Sequence, residues 1–409
     1  MKLLQSAIYS INAAALLIGA AGLLSRILGV FRDRLLASYF GASRELDIYY
    51  AAFQIPDFLY TVFALGAASA AIIPIFTELR EKDRDLAVGF IKELISLFIF
   101  VAAILSLGTV IFAPLIVPWL TPGFSADEIN KVVLLTRVMM LSPIFLGISS
   151  IVSSVIQSFR LFLVFSLTGV LYNVGIIVAI LFFLPKLGMM GLALGVSLGA
   201  FLHLMIQVPT YLSLGFRFAS WRSLWSSTKM FLSTASALFR PKFFRPILYR
   251  LISDEVKSVV RVSFPRVVAM SLNQITVIVM VAVASMLLPG SIAIFNFAYN
   301  LHFLPVGIFG VSFSLAAFPA LTEYFIRKKK VEFITTFYET MRAICFWVMP
   351  TSVLFYVLRA QIVRVVLGGG RFDWEDTILT AASLGIMVFA ILAGSLISLL
   401  TRSFYALRT

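Results

Sequence analysis

Four charges interrupt an apolar run near the start of this chain. The stretch "SRILGVFRDRLLASYFG" (Ser25–Gly41) carries Arg26, Arg32, Asp33 and Arg34, and Asp47 follows at the start of the next apolar run. Arginine grips phosphate oxygens bidentately, so cations set inside apolar sequence suit a phosphate or diphosphate group. An arginine at the centre of a membrane helix costs on the order of 3 kcal/mol even on permissive scales. A residue kept there at that cost faces a watery cavity or a partner. Arg26, Gly29 and Asp33 recur at helical spacing and share one stripe, whereas Leu24, Leu28 and Phe31 point elsewhere. A carboxylate one or two turns from an arginine also lowers the cost of burying both. Snorkelling of Arg32 to Arg34 to the headgroups, and Asp47 capping the second helix, are the structural alternatives. They fit Arg34 and Asp47 as well as a binding role does, and Arg26 least.

The remaining polar residues offer no catalytic set. Asn273, Gln274, Asn296, Asn300 and His302 supply neutral groups suited to hydrogen bonding between helices, with Asn300 and His302 as further candidates for substrate contact. His203 reads as structural. Arg261 and Arg266 flank Pro265 at the start of a later apolar run and read as snorkelling side chains. No nucleophile, base and orienter recur together, and two histidines without cysteine or carboxylate spacing make no metal site. The expectation is a protein that is not an enzyme and uses no cofactor or metal. Gly368-Gly369-Gly370 follows no strand and reads as a turn, not a phosphate loop.

The elements that must hold these residues are membrane helices. The chain has 409 residues, 61% hydrophobic and 13% charged, with a mean hydropathy of +1.01, and its apolar runs repeatedly exceed the roughly 20 residues that span a bilayer. Expected spans are 9–40, 46–78, 88–120, 131–157, 162–184, 188–214, 258–288, 291–325, 335–367 and 377–401, an all-α polytopic fold. Several are longer than a perpendicular helix needs, with Gly19, Gly22 and Gly29 in the first and Pro56 and Gly66 in the second as candidate break points. The single Cys345 excludes a disulfide framework. The net charge of +14 follows the positive-inside rule and calls for no nucleic acid: with a cytoplasmic N-terminus, the inner side collects Arg80, Lys82, Arg84, Arg160, Arg217 through Lys257, and Arg327 to Lys330. Both termini of the chain then face the cytoplasm.

The chain also repeats itself. "IIPIFTEL" (Ile72–Leu79) returns as "AFPALTEY" (Ala317–Tyr324), an offset of 245 residues by subtraction of Pro74 from Pro319, and "SSVIQSFR" (Ser153–Arg160) meets "SLLTRSFY" (Ser398–Tyr405) at the same offset. Spans one to four thus match spans seven to ten in the same orientation, as parallel repeats do. The expected organisation is a six-helix N-lobe over 1–216, a basic amphipathic connector over 217–257 and a four-helix C-lobe over 258–409, around a central cavity. The connector mixes seven cations from Arg217 to Arg250 with Trp221, Trp225 and Phe239, which suits a segment lying on anionic headgroups. Two further helices are expected to complete the second repeat, so the chain reads as a fragment or a shortened variant.

The stretch from Ser25 to Glu78, together with "PGF", "IQSFRLFLVFSLTGVLYNVGII", "FLPVGIFGVSFSLAAFPALTE" and "RSFYALRT", resembles the MurJ/MviN lipid II flippases, within a superfamily that also holds multidrug exporters and polysaccharide flippases. The resemblance implies movement of undecaprenyl-diphosphate-linked peptidoglycan precursor, lipid II, across the bacterial cytoplasmic membrane by alternating access. Membrane lipids and the cell wall synthesis machinery are the implied partners. It places Arg26, Arg32 and Asp47 in a central cavity. Two cavity arginines of the family fall on Tyr60 and Asn300 here, and the family's spans eleven to fourteen have no counterpart. A flippase for another polyprenyl-diphosphate glycan, a multidrug antiporter and a non-transporting scaffold stand as the alternatives.

Overall fold

The computed structural model describes residues 11–62, 66–218 and 253–407. The basic connector expected over 217–257 therefore lies almost wholly outside the described residues. Every named element is helical, and among the described residues the one β contact is an isolated bridge between Gly369 and Phe372. In chain order the helices are α1 (Ile11–Phe40), α2 (Arg44–Tyr60), α3 (Gly66–Lys82), α4 (Arg84–Leu120), α5 (Ala126–Met139), α6 (Leu141–Ser158), α7 (Phe162–Val178), α8 (Leu184–Leu187), α9 (Met189–Met205) and α10 (Val208–Ser213). Then follow α11 (Asp254–Ser285), α12 (Ser291–Pro305), α13 (Ser312–Ile326), α14 (Lys330–Val357), α15 (Arg359–Leu367), α16 (Trp374–Met387) and α17 (Phe389–Ala406). π-helical segments join α7 to α8 (Ala179–Phe183) and α12 to α13 (Val306–Val311).

Among the described residues, 8 helical stretches are long and apolar enough to cross a membrane. Large apolar side chains such as Trp119, Leu115, Phe346 and Phe389 stand exposed on them, as lipid-facing surfaces require. The first expected span is the single helix α1, which Gly19, Gly22 and Gly29 do not break. A helix interior tolerates isolated glycine at about 1 kcal/mol each when its ladder is otherwise complete. The second span is described as two helices, α2 and α3, and the residues that follow α2, Thr61 and Val62, are π-helical. At the repeat offset these two map onto Val306 and Gly307, the first residues of the Val306–Val311 π segment. The ninth and tenth spans are also divided, at Leu358 and Val388.

The chain forms two compact units, residues 1–21 with 51–286 and residues 22–50 with 287–409. Residues 22–50 thus group with the second repeat and 258–286 with the first, a partition that differs from the expected lobe boundaries. In the first unit, Ile72, Phe76, Ile91, Ile95, Val152, Val155, Ile156 and Tyr211 form a buried core between α3, α4, α6 and α10. Helices α7 and α9 approach closely because glycines face each other, and a Cβ at Gly175 would collide with the Gly199 backbone, the small-residue packing that membrane helices use. A second tie in this unit is polar. Ser149 on α6 meets His203 Nδ1 on α9 at 2.7 Å, Gln207 Nε2 donates to Ser149 Oγ, and Ser153 Oγ donates to Gln207 Oε1 at 2.8 Å. His203 is therefore an interhelical residue, as expected.

In the second unit, the end of α1 and the start of α2 are locked to the later helices by backbone and side-chain bonds. Asp376 Oδ2 accepts the Ala42 N–H at 2.9 Å, Arg371 N–H donates to the Ser38 carbonyl at 2.9 Å, and Tyr50 packs edge-on against Phe297. Gly370 lies at a positive φ of 55°, and a Cβ there would strike Ser38. The glycine run is a turn, and its lack of side chains permits this approach.

Candidate functional site

Asp33 organises a polar cluster on α1 within the second unit. Only 5% exposed, its carboxylate receives the Arg32 Nε–H at 3.0 Å and Nη2–H at 2.8 Å on Oδ1. Its Oδ2 accepts Asn300 Nδ2–H from α12 at 2.8 Å. A buried carboxylate needs this kind of saturation, since an unpaired one costs several kcal/mol. Adjacent residues of a helix rarely face each other, so the Arg32 side chain must fold back to reach Asp33, and the Asn300 amide fixes the carboxylate from the other side.

These residues line a cavity of about 360 Å³ together with Arg26, Gly29, Val30, Tyr299, Phe303 and Leu304. Arg26, Gly29, Val30 and Asp33 follow the i, i+3, i+4, i+7 stripe of one helix face. Tyr299, Asn300 and Phe303 provide the facing wall from α12. Arg26 differs from Arg32 in its partners: among the described residues it forms no ion pair, since Asp33 is taken by Arg32 and Asn300. Its guanidinium lies instead against the backbone of Gly307, at the start of the π segment, and a Cβ on Gly307 would overlap it. The Arg32–Asp33 pair is close to neutral, so the positive charge of the cavity is carried by Arg26. An apolar wall, one uncompensated guanidinium and an amide make a pocket suited to an anionic group on an amphiphile.

The structure does not bring all the candidates together. Asp47, placed in the cavity by family resemblance, lies elsewhere in the second unit and is fully buried at 0% exposure. Its Oδ2 accepts the Gly290 N–H at 2.6 Å and its Oδ1 the Ala293 N–H at 2.9 Å, with Arg44 3.7 Å away. It caps α12, a helix far away in sequence, and not its own α2. Four orphan N–H groups at a helix start demand such an acceptor, and the helix dipole favours a negative one. Tyr60 belongs to the first unit and is not among the residues lining this cavity. Arg34 neither lines the cavity nor only snorkels: its Nη1 donates to the Val365 carbonyl at 2.6 Å, at the end of α15. Asn296 donates to Ile292 O within its own helix, and His302 Nδ1 meets the Tyr299 carbonyl at 2.7 Å; neither is among the residues lining this cavity. Gly307 is the residue that sequence inspection missed; the sequence signal for it is the Pro305-Val306-Gly307 interruption of an apolar run.

Comparison with known proteins places the chain in a family. The family model described as Lipid II flippase MurJ matches residues 36–409. The chain is 26% identical over 384 residues to a protein named probable lipid II flippase MurJ from Borreliella burgdorferi, covering 94% of this chain and 70% of that one. It is 25% identical over 398 residues to the lipid II flippase MurJ of Burkholderia cenocepacia, covering 96% and 73%. Among solved structures, a lipid II flippase MurJ in an inward closed conformation superposes with a TM-score of 0.77 at 24% identity, over 96% of this chain and 76% of that one. An inward-facing multidrug resistance MATE transporter of the MOP superfamily follows at 0.65 and 12% identity, over 96% and 86%; at such identities the likeness is one of fold. The fold is therefore that of this transporter superfamily, and the match across residues 36–409 assigns the chain to the lipid II flippase MurJ family.

Proposed function

We propose that this chain moves a polyprenyl-diphosphate-linked peptidoglycan precursor, lipid II in its relatives, across the bacterial cytoplasmic membrane by alternating access. One observation carries the reading: Arg26 lines a partly apolar cavity without an ion-pair partner among the described residues, beside an Arg32–Asp33–Asn300 cluster that is already satisfied. An unpartnered guanidinium is costly in a membrane helix unless a ligand supplies the anion, and a diphosphate matches its fork. Arg32, held by Asp33, orients rather than attracts. Asn300 stabilises the carboxylate that holds Arg32. The lysines and arginines gathered at 80–84 and 327–330 favour both chain termini on the cytoplasmic side. With that orientation, an inside-negative potential drives an anionic headgroup outward by about 2.3 kcal/mol per charge per 100 mV.

The test uses the full chain in proteoliposomes with a fluorescent polyprenyl-diphosphate saccharide. Arg26→Ala is expected to reduce the initial flipping rate at least about tenfold, the loss of one charge-assisted contact. Arg26→Lys keeps the charge and loses the fork, and is expected to fall between. Equal flipping by the wild type and Arg26→Ala, at matched insertion, rules out this use of the cavity.

A further inference from the structure

The first unit contains a half-buried carboxylate, within the second expected span, that the cavity does not use. Asp57 lies in α2, within the second apolar run, and its Oδ2 accepts Nε2–H of Gln274 from α11 at 3.0 Å. Gln274 is 8% exposed and falls inside Val267–Ser285, a stretch long and apolar enough to cross a membrane. Among the described residues Asp57 makes no ion pair. Tyr60, one turn further along α2, is the titratable neighbour. On α11, Met270, Ser271, Val277 and Ile278 flank Gln274 and carry no charge. Helix α5 reaches α2 through Thr136, whose hydroxyl donates to the Ala52 carbonyl, and its cation Arg137 is bound to the Val110 carbonyl at 3.0 Å.

The identity of the partner is informative. An arginine or lysine would hold Asp57 ionised, and an apolar neighbour would hold it neutral. A glutamine amide serves both states, since its NH2 donates to a carboxylate and its carbonyl accepts from a carboxylic acid. Ionisable residues inside membrane segments are retained for pairing or for proton and ion transfer, and pairing with a cation is absent here among the described residues. We propose that Asp57 is a proton-binding site, with Gln274 as the amide that accommodates both its protonated and its ionised form, and that its loading sets the rate of transport. The site binds and releases H+ at the carboxyl oxygen; no other bond changes. The coupling to transport rests on the flippase reading above, whereas proton binding does not.

Two readouts on the full chain in lipid separate these parts. Infrared difference spectra taken as the pH is lowered should develop a carboxylic acid C=O band that is missing in Asp57→Asn and present in Asp57→Glu. Gln274→Leu removes the donor to the charged form and should move the midpoint of that band to higher pH by about one unit, the size of one hydrogen bond to a charged group. Flipping measured across the same pH range should vary severalfold in the wild type and be flat in Asp57→Asn. Absence of the band from the wild type, or its persistence in Asp57→Asn, overturns the proton site. A wild-type pH profile of flipping in Asp57→Asn overturns the coupling. A titrating band in a chain that flips no lipid-linked diphosphate upholds the proton site and sinks the flippase reading instead.

Discussion

Asn300 on α12 donates from Nδ2 to Asp33 Oδ2 on α1 at 2.8 Å, a partner 267 residues away in sequence. The bond makes Asn300 a structural complement to a carboxylate rather than a substitute for a phosphate-binding cation. Asn300→Leu leaves one oxygen of a buried carboxylate without a donor, a loss of about 1–3 kcal/mol. Asn300→Asp is nearly the same shape but faces one carboxylate with another, which must then share a proton or separate. It is expected to unfold at lower temperature than Asn300→Leu at neutral pH and to recover at acidic pH, when one of the two carboxyls is protonated. Thermal unfolding of the purified variants in detergent at two pH values checks the order and its reversal.

Gly307 provides the surface on which the Arg26 guanidinium rests. Any side chain there displaces the arginine from its place in the cavity. Gly307→Ala is expected to lower flipping mainly through weaker substrate binding, seen as a higher half-saturating lipid concentration. Gly394→Ala is the control, because its Cβ would sit 3.6 Å from the Val306 methyl groups, an ordinary contact, and flipping should be unchanged. Equal effects of the two substitutions would argue against a specific seat for Arg26.

Asp376 joins α16 to the turn after α1 by accepting the Ala42 N–H. Burial raises its pKa above the ordinary aspartate value, opposed by the Ala42 N–H and reinforced by Asp373. A folded-state pKa above the unfolded one means that stability falls as pH rises from the ordinary aspartate range through the raised value. Asp376→Asn keeps a carbonyl acceptor for Ala42 and removes the charge. It is expected to raise the melting temperature at neutral pH, with the gain vanishing below the aspartate range, where the wild-type carboxyl is also neutral.

The helical class, the apolar runs and the Arg26–Arg32–Asp33 constellation are legible from the chain because a charge in an apolar run is conspicuous, and helical spacing alone puts Arg26, Gly29 and Asp33 on one face. What the spacing could not reveal was partnership. Asp33 lies two turns from Arg26 yet binds Arg32 and Asn300, and the choice depends on α12, brought in from far along the chain. Asp57 sits next to Pro56, a candidate break point, and its partner Gln274 is 217 residues away, so local sequence does not show the pairing. The π-helical residues of the second and eighth spans have only a Pro and Gly signature, which also fits a simple kink.

Asp47 is the case in which resemblance and geometry part. Its oxygens accept backbone N–H groups of Gly290 and Ala293, and backbone donors have no side-chain signature, so nothing in the sequence near residues 290–293 announces them. Asp47→Ala leaves two buried N–H groups without acceptors and Arg44 without its neighbour, and is expected to cost about 3–5 kcal/mol. Asp47→Asn keeps one acceptor and turns an amide NH2 towards a donor, so it is expected to lie between. A capping role predicts that flipping by Asp47→Asn, expressed per folded molecule, stays near the wild-type rate and half-saturation while the melting temperature drops. A cavity role predicts the reverse, with lost flipping at unchanged stability. Measuring both on the same preparation decides between the helix cap and the binding site.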